Sequence, residues 1–446
     1  MSRMPKLVKA TIALVTLVVL GALLVLVFGS QAGSPPTPAV QVTGTAQPYP
    51  PPGSPTPPGP PATPTAGGST SIPRCVFAAV PATGGSGVFL DKYVFSEPQV
   101  TLTHTDAIEV VGWLPDGERL LIIRRIPKTS RETIELYNTT TGESQWYAER
   151  LSLSSKPIWL AAQQAVAFMD ATREEGWTLR LSYGEKQPVE TLHAHLASPY
   201  LAADPAGQQV SILLRDQGAR PAMVSLPEKA TRSLDVRLAV KSWLTTPDAP
   251  IGFEETYQLT WSPKGKWLAC HSMDGFYLLE VATGQICLVD LGDCPLGGPP
   301  GKCWALDAQW SPDERYLAML TMAGKLPVDF IGLTLLDTHT GEYRRFDLGL
   351  QVLYTITWAP NSRDLLVVAK AGTDEKGIHR DSLYILDANV GNTRQILIDQ
   401  RFIGTGSWGV AWSPNGQTIA LVRLTLMPTE PTIAESHLCI VAVEVR

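Results

Sequence analysis

The feature that most constrains this chain is a phrase that recurs along it: an apolar strand closing on Trp, a short turn, and a second apolar strand. It reads WLPDGERLLII from Trp113, WSPKGKWLACH from Trp261, WSPDERYLAML from Trp310, WAPNSRDLLVV from Trp358 and WSPNGQTIALV from Trp412. Pro presets φ for a tight turn, Asp or Asn tolerates the position after it, and Gly absorbs a positive φ. Each phrase is therefore a β-hairpin with a bulky aromatic at its corner, and repetition at a fixed period marks a repeat fold.

The later copies lie 48 to 54 residues apart, whereas Trp113 and Trp261 are separated by 148, which leaves room for two degenerate copies. Trp159-Leu-Ala-Ala-Gln-Gln-Ala-Val-Ala-Phe fits the first without its turn residues, and Ala203-Asp-Pro-Ala-Gly-Gln-Gln-Val-Ser-Ile fits the second without its Trp. A second phrase, a strand running into a Gly turn, follows several hairpins and ends at Gly142, Gly284, Gly341 and Gly391. Each unit thus holds four antiparallel strands, A to D. Seven units predict an all-β fold, a seven-bladed β-propeller of four-stranded blades over residues 75–446. Trp113, Trp159, Trp261, Trp310, Trp358 and Trp412 are read as structural, packing between neighbouring blades.

The last unit stops after its third strand. An open ring would strand the hydrogen-bonding groups of a sheet edge, so the fourth strand is expected from the segment preceding Ile108. Gln99–His104 is the first choice and Val88–Phe95 the second. In such a meander the A–B and C–D turns share one face of the disc, and here they are short. Insertions fall on the other face, in B–C loops at 126–131, 324–329, 373–381 and 427–435 and in D-to-A connections at 245–255 and 290–303. Long loops on a rigid scaffold are where binding residues gather, which nominates Lys325, Asp374, Lys376, His379, Arg380 and Glu430 as partner-binding residues.

The N-terminal part is of another kind. Residues 1–9 hold Arg3, Lys6 and Lys9 and no acid, a short cytoplasmic tail. Residues 10–28 form an uncharged apolar run of 19 residues. At about 1.5 Å per residue it crosses a hydrocarbon core of roughly 30 Å as a transmembrane helix and signal anchor. Ser30-Gln-Ala32 also offers a cleavage site. Residues 29–74 are a Pro/Thr/Gly-rich tether, with 13 Pro between Ser34 and Thr65 and no charge before Arg74. Such a segment buries no core and stays extended. The expected localisation is single-pass in a membrane, N-terminus cytoplasmic and C-terminal domain extracytoplasmic.

After residue 74 the chain carries 42 acids against 32 Lys and Arg, which excludes nucleic acid as the expected partner. Of the six Cys, Cys294 and Cys303 flank a Gly/Pro-rich loop and form a candidate disulfide, while Cys270 and Cys439 read as small buried strand residues. No CxxC pair, GxSxG elbow, HExxH or P-loop occurs. His193-Ala-His195 has metal-like spacing but no carboxylate pattern beside it. No catalytic residue, cofactor or metal is assigned.

The W-S-P-D/N-G phrases resemble the WD40-like repeats of the TolB-type propeller family, over about 340 residues from Thr103 to the end. Similar repeats occur in bacterial envelope binding proteins and in propeller domains of serine peptidases. The chain departs from both, lacking the small α/β domain ahead of the propeller and leaving no room after Arg446 for a hydrolase domain. The expectation is a monomeric, non-catalytic binding or scaffold module for a protein, peptide or cell-wall ligand. A propeller enzyme, a lyase or glycan-active hydrolase with its site at the central channel mouth, is the alternative from another class. A sensory or structural subunit of a membrane complex is the third. A mouth lined by apolar and neutral side chains favours binding; clustered His, Asp, Glu and Arg favour catalysis.

Overall fold

A computed structural model describes residues 72–81, 90–151, 155–172, 175–215, 219–234, 258–272, 275–291, 304–323, 330–346, 353–373, 379–400, 409–426 and 433–446. The tail, the apolar run and the tether as far as residue 71 lie outside the described residues, as do Lys325, Asp374, Lys376, Glu430, Cys294 and Cys303. His379 and Arg380 open the strand His379–Asp387, where they pair with Thr373 and Gly372.

Thirty-one strands carry the described fold. Five sheets have blade size: 108–151, 258–290, 304–346, 353–400 and 410–445, each an antiparallel meander in chain order. Their central strands read as unbroken apolar runs because both faces are covered. Arg119–Arg125 is one, with Leu120, Leu121, Ile122 and Ile123 all buried. An outer strand such as Ser144–Leu151 is more exposed.

The covering is mutual and runs around a ring. Leu120, Ile122 and Tyr137 pack on Ala420, Val422 and Leu438. On the opposite side of the same sheet, Leu121, Leu136 and Tyr147 pack on Val166 and Phe168. Leu213 and Met223 meet Leu259 and Cys270. Phe276 and Leu278 meet Trp310 and Leu317. Leu320 and Leu335 meet Ile356 and Val367. Leu366 and Val368 meet Leu421 and Val441, which completes the circuit. The fold is an all-β propeller.

The expected seven separate blades are not what the hydrogen bonds draw. Residues 158–233 form one eight-stranded sheet, so five sheets of four or five strands stand beside a single larger one. The join is one residue pair, Leu196 with Leu214, supported by Ala197 N–H donating to the Leu213 carbonyl at 2.8 Å. The physical reason is the shortness of Ala202–Ala203. That strand covers only Val210 and Ser211 of its partner Gln209–Arg215, and the free length bonds the preceding outer strand. The two halves pack on one another through Leu160, Met169 and Leu181 against Val210, Ile212 and Val224.

Both candidate segments close the ring. The strand Ile433–Val445 pairs antiparallel with Tyr93–Phe95 at one end and with Gln99–His104 at the other. Tyr93 locks the join to the neighbouring sheet: its hydroxyl donates to Asp364 Oδ2 at 2.5 Å and accepts from Asn361 Nδ2 at 2.9 Å.

A further attachment precedes these strands. Arg74–Val76 adds a parallel strand to the 258–290 sheet, and Ala78–Ala79 adds one to the 304–346 sheet. This strap is fastened by a disulfide between Cys75 and Cys287, with Cα atoms 5.4 Å apart, and by Arg74 to Asp290 at 2.7 Å. Spacing in the sequence pairs neither cysteine, because the partners lie 212 residues apart. Cys270 and Cys439 are free and buried, and burial raises both thiols, Cys270 to about 12.

The A–B turns interlock. Ser262, Ser311 and Ser413 each accept, through Oγ, the backbone N–H that opens the following strand, from Trp267, Tyr316 and Thr418. That bond accounts for Ser after Trp in the repeated phrase. Two turns place a side chain where the others have Gly, at Glu314 (φ 70°) and Ser362 (φ 59°). A left-handed backbone costs a non-Gly residue about 1–2 kcal/mol. Both side chains offset this by capping the neighbouring turn: Glu314 Oε1 accepts Lys264 N–H at 3.2 Å, and Ser362 Oγ accepts Asp313 N–H at 2.9 Å. The first of the expected long loops is also a tight turn, Ile126 N–H donating to the Arg131 carbonyl at 2.9 Å.

Two outcomes test this. Ser362→Ala keeps the left-handed cost and loses the bond, so urea unfolding should show a loss of about 1 kcal/mol. Ser362→Gly should be nearer neutral, and equal losses would refute the compensation. For the strap, Cys75→Ser should speed trypsin cleavage after Arg74 about tenfold or more, since opening then involves only local hydrogen bonds. An unchanged rate would show that the disulfide does not hold it.

Candidate functional site: the channel and its cavity

The first strand of one meander after another faces the ring axis, and these strands touch in series: Ile158–Leu160, Ala202–Ala203, Gln258–Trp261, Trp304–Trp310, Leu353–Trp358, Val410–Trp412 and Ile108–Trp113. A cavity of about 500 Å³ opens among Ile108–Trp113, Ile158–Leu160, Ala202–Ala203 and Gln258–Trp261. It reaches from the A–B turns, at Pro115, Ala161 and Pro205, down to Lys156.

The six corner tryptophans divide here. Trp310, Trp358 and Trp412 are each 7% exposed and belong to the cores between sheets. Trp113, Trp159 and Trp261 are half-buried and line the cavity. Two of these indoles direct their N–H to protein partners: Trp113 Nε1 to the Ala411 carbonyl at 3.1 Å and Trp261 Nε1 to Ser211 Oγ at 2.9 Å. Trp159 meets Tyr147 edge-to-face at 5.7 Å. Val111, Leu114, Ile158, Leu201 and Leu259 add aliphatic wall.

Among the described lining residues two are charged, Asp204 and Lys156. Asp204 is engaged in its own turn, Oδ1 accepting Gln208 and Gln209 N–H at 2.7 and 2.8 Å. Burial pulls the Lys156 ammonium below the ordinary range, opposed by electrostatic interaction with Asp307 and Glu109. Glu109 stands on the same strand as the cavity residues Val111, Gly112 and Trp113. Burial pushes its carboxyl up to about 7, with the charge of Glu132 adding to the effect and Arg125, Arg150 and Lys156 opposing it. Next to it Arg150 is fully buried, donating to Glu132 Oε1 at 2.8 Å and to the carbonyls of Ser155 at 2.6 Å and Met169 at 3.2 Å. Farther round, burial holds His271 neutral, down to about 4, stacked on Phe276.

Other expectations meet the structure differently. His193 and His195 do not present two rings to one face, since His195 has φ 56° and the strand pairing is irregular there. Among the described residues no group of three or more His, Cys, Asp or Glu is placed to hold a metal. Of the nominated long-loop residues only His379 and Arg380 fall on a described strand; the others, and Cys294–Cys303, lie outside the described residues. The cavity was missed in the sequence because every corner Trp carries the same local phrase. The available signal was that Trp159 belongs to the first degenerate repeat and that Trp113 and Trp261 flank the degenerate pair.

Sheets closed in a ring around a channel, with half-buried indoles at one part of it, define a β-propeller with an aromatic-lined axial cavity. No family model and no curated protein matches this chain. Among solved structures it is similar to TolB from Acinetobacter baumannii, at 13% identity over 71% of this chain and 78% of that one, with a TM-score of 0.39. It is similar also to Kuenenia stuttgartiensis hydrazine synthase, at 11% identity over 70% and 72%, with a TM-score of 0.38. Likenesses of this size say nothing about activity, and the propeller assignment stands on the sheets and their packing.

The two shifted groups give opposite pH dependences. Glu109 contributes stability that is full below its ordinary 4.5 and lost as pH rises through about 7. His271 contributes stability that is full above its ordinary 6.5 and lost as pH falls through about 4. Thermal melts of Glu109→Gln from pH 5 to 8 should therefore lose the decline that the parent shows between about pH 5 and 7. A variant with the parental slope would show that Glu109 is not the group responsible.

Proposed function

We propose that the protein is a membrane-anchored, extracytoplasmic β-propeller that binds a protein, peptide or wall polymer and acts as a recognition or scaffold module. The apolar run 10–28 is the anchor and the Pro-rich segment after it the spacer. The observation that carries the binding reading is the grouping of Trp113, Trp159 and Trp261 around one cavity, half-buried, while the other three corner tryptophans are packed away. Exposed aromatic faces in a concave, mostly apolar site supply contact area at low entropic cost. The binding place in this reading is the channel rather than the long-loop face.

One observation favours a second reading. A carboxyl with a pKa near 7 beside an ammonium group at the floor of a cavity is the equipment of a general acid or base, so Glu109 and Lys156 nominate themselves for a channel enzyme. A displayed-peptide selection against the full chain in detergent micelles tests the first reading. Capture of enriched peptides should fall at least about tenfold in Trp159→Ser, the loss expected when a hot-spot aromatic is truncated. It should survive Ser at Lys325, Asp374, Lys376 and Glu430. The reverse pattern would move binding to the long-loop face.

A further inference from the structure

The cavity's chemistry narrows the ligand. Its wall is mostly aliphatic and aromatic, so the many hydroxyls of a glycan would go without partners there, and unpaired buried polar groups are costly. A short apolar peptide fits better, since about 500 Å³ lies within the range of small-ligand sites, roughly 300–1,000 Å³. Among the described lining residues the one cation is Lys156. We propose that the cavity takes the C-terminal end of an apolar peptide, with Lys156 receiving the terminal carboxylate and Glu109 setting, by its protonation, how strongly it does so. This rests on the binding reading above and names the ligand of that same cavity.

Lys156 interacts with two carboxylates, Glu109 from the strand Ile108–Trp113 and Asp307 from Trp304–Trp310. Glu109 in turn is met by Glu132 of Arg131–Asn138, Arg125 of Arg119–Arg125 and Arg150 of Ser144–Leu151. Arg150 is already committed to Glu132 and sees Asp170 as well. When Glu109 is ionised, its charge acts on Lys156 and would repel a ligand carboxylate approaching that ammonium. When Glu109 is neutral that repulsion is gone, and the anion finds a stronger attraction at Lys156. Protonation and ligand binding therefore favour each other. Linkage makes this reciprocal: the ligand must raise the Glu109 pKa by the same factor by which the proton tightens the ligand.

The test uses the full chain in detergent micelles and two tripeptide libraries of apolar residues, one with free C-termini and one amidated, read by tryptophan fluorescence at pH 6 and pH 8. Free-carboxyl members should bind at least about fivefold more tightly at pH 6, the lower end of typical coupling. Amidated members should show neither that affinity nor that pH dependence. Glu109→Gln should hold the tighter affinity at both pH values, Lys156→Met should lose the preference for the carboxylate, and Lys156→Arg should keep it, which separates lost charge from lost folding. Equal binding of acid and amide, abolished in both by Trp159→Ser, would overturn this inference and leave the cavity reading standing. Binding indifferent to Trp159→Ser, or no binding by either library, would overturn both. A uronic-acid disaccharide that bound more tightly than any tripeptide would replace the peptide with a glycan.

Discussion

The structure depends on one constraint: each sheet is apolar on both faces, so no sheet is stable until it has a neighbour on either side. A row of such sheets has two raw ends, and closing it into a ring is the way to have none. That is why strands that precede the first sheet meet the chain's last one. Ile433–Val445 bonds Thr418–Leu426 along one edge and borrows Tyr93–Phe95 and Gln99–His104 along the other. The closing segment also enters the core: Tyr93 contacts Trp412 edge-to-face at 5.7 Å and reaches Asp364 in the adjoining sheet, a carboxylate only 1% exposed. Removing a core side chain from any interval, of the size of Ile122, costs about 2–5 kcal/mol, and in a closed ring both neighbouring sheets feel it.

Ring closure fixes where chemistry can occur. The innermost strands converge on the axis, so their side chains share a confined space and ionisable groups there are partly stripped of water. Glu109 and Asp307 come from inner strands, Arg150 from the outer strand Ser144–Leu151 and Lys156 from the connection after it, and their balance is set by the ring rather than by any local motif. The cavity at Trp113, Trp159 and Trp261 arises where the ring is least regular, beside the eight-stranded sheet whose first strands are only three and two residues long. Short inner strands fill less of the axis, and the space they leave is walled by indoles.

The strap adds a second, covalent fastening. Residues 74–79 run along the outer edges of two adjacent sheets and are tied at Cys75–Cys287. Parallel additions to exposed edges satisfy backbone groups that would otherwise offer pairing to another chain.

Much of the architecture was legible from residues alone, for a physical reason. Turn chemistry and apolar runs are local, so Trp-Ser-Pro-Asn-Gly at Trp412 announces its hairpin whatever surrounds it, and repetition announces a closed ring that needs a borrowed strand. Other features depended on contacts that no local pattern encodes. Whether Leu196 bonds Leu214 follows from how far Ala202–Ala203 extends, so the sheet count was decided in three dimensions. Cys75 and Cys287 find each other because the strap lies along Gln285–Asp290, an adjacency that spacing does not reveal. Trp113 and Trp412 carry the same phrase, yet one borders a cavity and the other a core. The sequence by itself determined that this chain makes hairpins that must close on themselves; the tertiary structure decided which side chains face the axis, because burial and shared electric fields depend on neighbours brought together only by the ring.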